Sequence, residues 1–92
     1  MKYLVVLLLY LLTFPSVGFA FDESHLKRLK SLNQCIMCDL VSVVLTKSNL
    51  TNANLEGAVL KQADLREANF RNANLIGANL RGAILAYTDF TG

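Results

Sequence analysis

The chain has 92 residues and a mass of 10.2 kDa; it is 53% hydrophobic and 17% charged, with a formal net charge of +2 and a mean hydropathy of +0.38. It is too apolar for a disordered segment and too short for a two-domain enzyme. So small a charge gives no bias toward nucleic acid or acidic substrates, and the apolar excess is local, since fifteen of the first 20 residues are hydrophobic.

Residues 1–20 read as a secretory signal. Lys2 supplies the positive start, residues 3–14 are apolar apart from Thr13, and Pro15-Ser16-Val17 ends any helix. Gly18 and Ala20 put small residues at −3 and −1 of a cut before Phe21. The expected location is therefore outside the cytoplasm, periplasmic or secreted. The competing reading is an uncleaved membrane anchor. A span needs about 20 apolar residues, and this run stops at Phe14, just before a proline. No cysteine stands in or just after the segment, which argues against a lipoprotein. Residues 21–92 hold eight basic and seven acidic side chains, so the mature chain is nearly neutral.

Residues 21–37 read as a capping helix followed by a Cys-x-x-Cys junction. Leu26, Leu29 and Leu32 fall at i, i+3 and i+6, one narrow apolar stripe on a helix. Asp22 and Ser24 are the N-cap candidates. Acidic Asp22 and Glu23 come first and Lys27, Arg28 and Lys30 later, the order that the helix dipole favours. A stripe this narrow suits a cap over the structure that follows better than a helix lying on a membrane surface.

Cys35 and Cys38 flank Ile36 and Met37. The next residue is Asp39, not His, which excludes covalent haem attachment. A thioredoxin-like site would want a βαβ setting, and a zinc site about four ligands, where only His25 could join the two thiols. An even cysteine count in an exported chain favours a disulfide. Two packed thiols are the alternative, because Cys38 begins an inward repeat position.

From Cys38 onward, Leu or Phe recurs at every fifth residue from Leu40 to Phe90, with a small or modest residue two places earlier. The 55 residues of 38–92 divide into 11 pentads with no slip of phase. A helix would rotate successive leucines by about 140°, leaving no stripe, and a flat strand would send alternate ones to opposite faces. Within a pentad, Ala63 and Leu65 share one side of a short extended segment, and the chain must turn before the next pair points the same way. Gly57, Gly77, Gly82 and Gly92, with Asn52 and Asn72, stand in that turn slot. A chain that keeps turning one way with apolar pairs inward is a solenoid, in which stacked turns complete each other's core.

The run Ala63-Asp64-Leu65-Arg66-Glu67-Ala68-Asn69-Phe70-Arg71-Asn72-Ala73-Asn74-Leu75 resembles the pentapeptide repeat family, whose signature is A-[ND]-[LF]-x-x. The resemblance implies an all-β solenoid, a right-handed quadrilateral β-helix with four pentads per coil. About 11 repeats then give just under three coils behind a short α-helical cap. Under that period of 20, Leu50, Phe70 and Phe90 form an internal aromatic ladder, and Lys47 and Glu67 become neighbours on adjacent coils. Lys61 and Arg81 also stack, an unfavourable like-charge pair unless an anion bridges them. Cys-x-x-Cys-Asp-Leu leading into pentads also resembles the start of other members, which favours a structural role for the two cysteines.

Catalysis has little basis. There is a single histidine, no base stands near Ser42, Ser48 or Thr88, and Asp39, Asp64 and Asp89 fall on different sides of the coil. No catalytic residue, metal ligand or cofactor is expected. The chain reads as an exported, non-catalytic scaffold or protein-interaction module. Leu85, Tyr87 and Phe90 are the candidate interaction surface, through which a homodimer or another protein partner would form. An anchored repeat protein is the alternative. A further alternative comes from relatives that resemble duplex DNA and bind topoisomerases. Those are longer, cytoplasmic and acidic, whereas the pentads here carry five basic and five acidic residues.

Overall fold

Asp22 organises the start of the fold. In a computed structural model, which describes residues 21–92, its carboxylate accepts from Ser24 N–H at 2.9 Å and from the Ser24 hydroxyl at 2.6 Å. This N-cap opens helix α1 (Glu23–Leu32), with Glu23 in the first turn and Lys30 in the last. Asn33 ends the helix in the left-handed region, φ 56°, and its N–H donates to Leu29 O at 2.9 Å. The signal and anchor readings concern residues 1–20 and lie outside the described residues. Among the described residues, no helix is long and apolar enough to cross a membrane.

The expected leucine stripe on α1 is only partly used. Leu29 is buried and Leu26 lies against the core, but Leu32 is 61% exposed. Six residues advance about 600° around a helix, so Leu32 lies about 120° from Leu26. It therefore faces away from the surface that α1 covers.

Beyond α1 the chain repeats one conformation every five residues. The N–H of each small residue donates back across a β-turn to the preceding Leu or Phe carbonyl, as from Ala53 to Leu50 and from Ala73 to Phe70, both 3.0 Å. The residue before the small one has positive φ, the pattern of a type II turn. Glycine fills that place at Gly57, Gly77 and Gly82, yet Ser42, Lys47, Gln62, Glu67 and Tyr87 adopt it as well, with φ between 57 and 61°. For an L-residue this costs about 1–2 kcal/mol. Bonds between coils hold Ser42, Lys47, Gln62 and Glu67 in place, as Lys47 N–H to Arg66 O at 3.0 Å and Glu67 N–H to Ala86 O at 3.0 Å.

Eight parallel bridges join residues 20 apart, in four columns: 34/54/74, 39/59/79, 44/64/84 and 49/69/89. Each side of the coil contributes one bridged residue before the chain turns. Among the described residues the β structure is therefore isolated bridges with no longer strand, and in this it differs from the all-β expectation. The short side is the cause: a five-residue repeat that spends two residues turning cannot extend a ladder along the chain.

The core fills the interior of the stacked coils. Leu40, Leu55, Leu60 and Leu65 are fully buried, Ala53, Ala58, Ala63 and Ala68 pack between them, and Leu29 closes the α1 end. The repeat conformation also begins one pentad before Cys38, the boundary expected from the sequence. Gln34 pairs with Asn54, Cys35 takes the buried central slot, and Met37 has φ 58°. Polar Asn33 in the Ala slot and small, buried Cys35 in the Leu slot replace the usual residue types there, which hides the period.

Candidate interaction surface

Leu85 and Phe90 occupy central slots, the same columns as Leu65 and Phe70. The earlier residues are 0% and 1% exposed, whereas Leu85 is 41% and Phe90 38% exposed. The coil made by residues 73–92 thus offers its apolar interior to solvent. Phe90 stacks on Phe70 with ring centroids 5.4 Å apart and planes inclined by 15°, and Thr88 Oγ1 donates to Leu65 O at 2.6 Å. Tyr87 is 90% exposed at a left-handed turn position. It shares a column with Lys47 and Glu67 and stands apart from the two central-slot residues.

The same coil carries an unused hydrogen-bonding edge. In the coil below, Leu55, Leu60, Leu65 and Phe70 each donate N–H to the coil above at 2.7–2.9 Å. Among the described residues, the N–H groups of Leu75, Leu80, Leu85 and Phe90 have no backbone acceptor. Their partners in the repeat would be carbonyls of a further chain segment at the same spacing. Donors in register beside exposed Leu85 and Phe90 form a surface that a β-type partner matches.

At the opposite end, α1 and the two cysteines form a closed junction. Cys35 and Cys38 stand at disulfide distance, S–S 1.97 Å, with Cα atoms 5.3 Å apart and both side chains buried. Cys35 occupies the Leu55/Leu75 column and Cys38 the Ala58/Ala78 column. The Cys35 sulfur lies 3.1 Å from the His25 carbonyl. In the oxidised pair it has no proton to donate, so this is a close S···O approach rather than a hydrogen bond. His25 Nδ1 accepts from Asp39 N–H at 2.9 Å, a role for the lone histidine that the sequence pattern gives no sign of.

The outer surface is ordered by short polar links. Asn49, Asn54, Asn69, Asn74 and Asn79 each accept through Oδ1 from the N–H two residues on, at 3.0–3.2 Å. Asp64 makes the same link and adds a two-pronged ion pair with Arg66 at 2.8 and 2.7 Å, which holds its carboxyl below the usual aspartate range and raises the guanidinium. The Thr91 hydroxyl and N–H lower Asp89, and the Ser24 hydroxyl and N–H lower Asp22. Lys47 and Glu67 do meet on adjacent coils, at 3.9 Å. Asp39, Asp64 and Asp89 fall in three different columns and are not brought together. Among the described residues, no three of His, Cys, Asp or Glu come close enough to hold a metal ion.

A family model for pentapeptide repeats matches residues 38–75 and 63–92, with eight copies. A search of curated proteins finds no match to this chain.

Proposed function

Because the chain belongs to the pentapeptide repeat family, we propose that it is a non-catalytic, exported interaction module built on a right-handed quadrilateral β-helix. The four bridge columns and their 20-residue offset support that architecture. Residues 33–92 provide twelve pentads, three coils in all, one pentad more than the run that starts at Cys38. Export is supported by the composition of residues 1–20 and by two cysteines at disulfide distance in a small chain.

The observation that carries the interaction role is the coil of residues 73–92, with unused N–H donors beside half-exposed Leu85 and Phe90. The proposed occupant is a second copy of the same coil, since a two-fold contact sets one apolar interior against another. Light scattering over a wide concentration range tests this. A dimer is expected, with Leu85→Glu shifting it to monomer and Tyr87→Ser, at the rim, having a smaller effect. A chain that stays monomeric at every concentration overturns the reading.

The anchored alternative rests on the apolar run of residues 3–14. The intact mass of the exported protein separates the two: loss of residues 1–20 removes the anchor.

A further inference from the structure

One corner of the coil gathers positive charge that no ion pair among the described residues answers. Val41, Lys61 and Arg81 follow one another at intervals of 20 residues, and with Gln62 and Gly82 they line a concavity of about 370 Å³. Backbone bonds stack their coils directly: Ser42 N–H donates to Lys61 O and Gln62 N–H to Arg81 O, each at 2.8 Å. The Lys61 and Arg81 side chains therefore leave neighbouring coils about 4.8 Å apart, a spacing at which like charges repel.

The other cations of the repeats have carboxylates to meet. Lys47 faces Glu67 at 3.9 Å, Arg66 binds Asp64 at 2.7 Å, and Arg71 lies within the field of Asp89. Among the described residues, Lys61 and Arg81 have no carboxylate within ion-pair distance. Asp39, two residues before Val41, has its Oδ1 engaged by Val41 N–H at 3.2 Å. The backbone of Arg81 is fixed by a 3.0 Å bond from its N–H to Asn79 Oδ1. Glycine at position 82 keeps the concavity open, because a Cβ there would come within 3.2 Å of Gln62 Cγ.

We propose that this corner binds a small oxyanion, a phosphate or a carboxylate group, held between Lys61 Nζ and the Arg81 guanidinium. The planar guanidinium grips two oxygens, and the lysine supplies a point charge to a third oxygen of a phosphate or shares one of the two of a carboxylate, while the Gln62 carboxamide adds a neutral donor and Val41 an apolar floor. Bound there, the anion turns a repulsive pair into a bridge between two coils. The pentads carry equal numbers of acidic and basic residues, so binding comes from local arrangement and not from net charge.

The test is a titration of the full exported protein with sodium phosphate, followed through the backbone amide signals and the melting temperature. Saturable shifts are expected at Lys61, Gln62, Arg81 and Gly82, together with a rise in melting temperature. K61Q and R81Q each weaken binding about tenfold, as loss of one charge-assisted bond implies, whereas R28Q on α1 leaves it unchanged. Without phosphate, K61Q melts no lower than the parent, because it removes repulsion. A parallel titration with succinate separates the sources: succinate-only shifts name a carboxylate ligand, phosphate-only shifts a phosphoryl one, and matching shifts a site that takes either oxyanion. Shifts that do not saturate, that spread equally to Arg28 and Arg71, or that persist in K61Q and R81Q overturn the proposal.

Discussion

His25 Nδ1 accepts the backbone N–H of Asp39 at 2.9 Å, while Asp22 N–H donates to the Asp39 carbonyl at 3.1 Å. One coil on, Val59 makes the same two bonds with backbone alone: its N–H donates to Cys38 O and its carbonyl accepts from Leu40 N–H, both at 2.8 Å. The start of α1 thus substitutes for a preceding coil at this column, with an imidazole nitrogen standing in for a carbonyl oxygen. Replacing His25 by Ala leaves a half-buried N–H without an acceptor, a loss of about 1–3 kcal/mol. Urea unfolding gives the magnitude, and faster hydrogen exchange at Asp39 identifies the bond.

The narrow interior makes size the controlling variable. Leu65 is fully buried and Ala68 is 1% exposed. Leu65→Ala opens a cavity and costs about 2–5 kcal/mol, and Ala68→Leu overpacks and costs about 1–3 kcal/mol. Denaturant midpoints of the two variants check both figures.

The repeat was legible because its period appears in residue types that do one job each. Leu or Phe fills the interior, Ala makes room, and Asn or Asp closes the link to the N–H two residues on. What stayed hidden lies where residue type and role separate. Cys35 and Asn33 continue the coil without the usual side chains, so the first pentad escapes a search for Leu and Ala. A cysteine five residues before Leu40, preceded by a polar residue, was the available signal. The left-handed turns at Lys47 and Glu67 are also silent in the sequence, because bonds between coils override local preference. His25 acts through a single nitrogen on a neighbouring backbone, and no spacing rule announces that.

Acid should loosen the outer surface. Asp22, Asp64 and Asp89 all have carboxyls held below their usual value by hydrogen bonds and, for Asp64, by Arg66. A depressed value in the fold means stability that is present above the unfolded pKa, about 3.9, and lost as pH falls through the folded one. Melting temperature is therefore expected to be level with respect to these groups from pH 7 to about 5 and to decline below about 4. Asn makes the same link elsewhere in the coil, so the D22N, D64N and D89N triple variant keeps its turns and shows a shallower acid decline.

Reduction addresses the junction. Closing the short loop between Cys35 and Cys38 contributes about 2 kcal/mol by restricting the unfolded chain. Dithiothreitol is expected to add about two mass units, one hydrogen per sulfur, and to lower the melting temperature. The C35A and C38A double variant should be insensitive to the reagent. Unchanged mass on reduction would mean that the two sulfurs carry free thiols.

Because every bridge spans 20 residues, this molecule can change length without penalty only in whole coils. Excision of residues 53–72 would join Asn52 to Ala73 and return every column to a like neighbour. Leu50 would meet Phe90, Asn33 O would receive the N–H of Asn74, and the Met37 side chain, now lying over Gly57, would find Gly77. Removal of a single residue would instead throw every following side chain out of phase. The architecture therefore counts in twenties, and the Lys61–Arg81 corner, which needs two successive coils, is among the first features that such a step would erase.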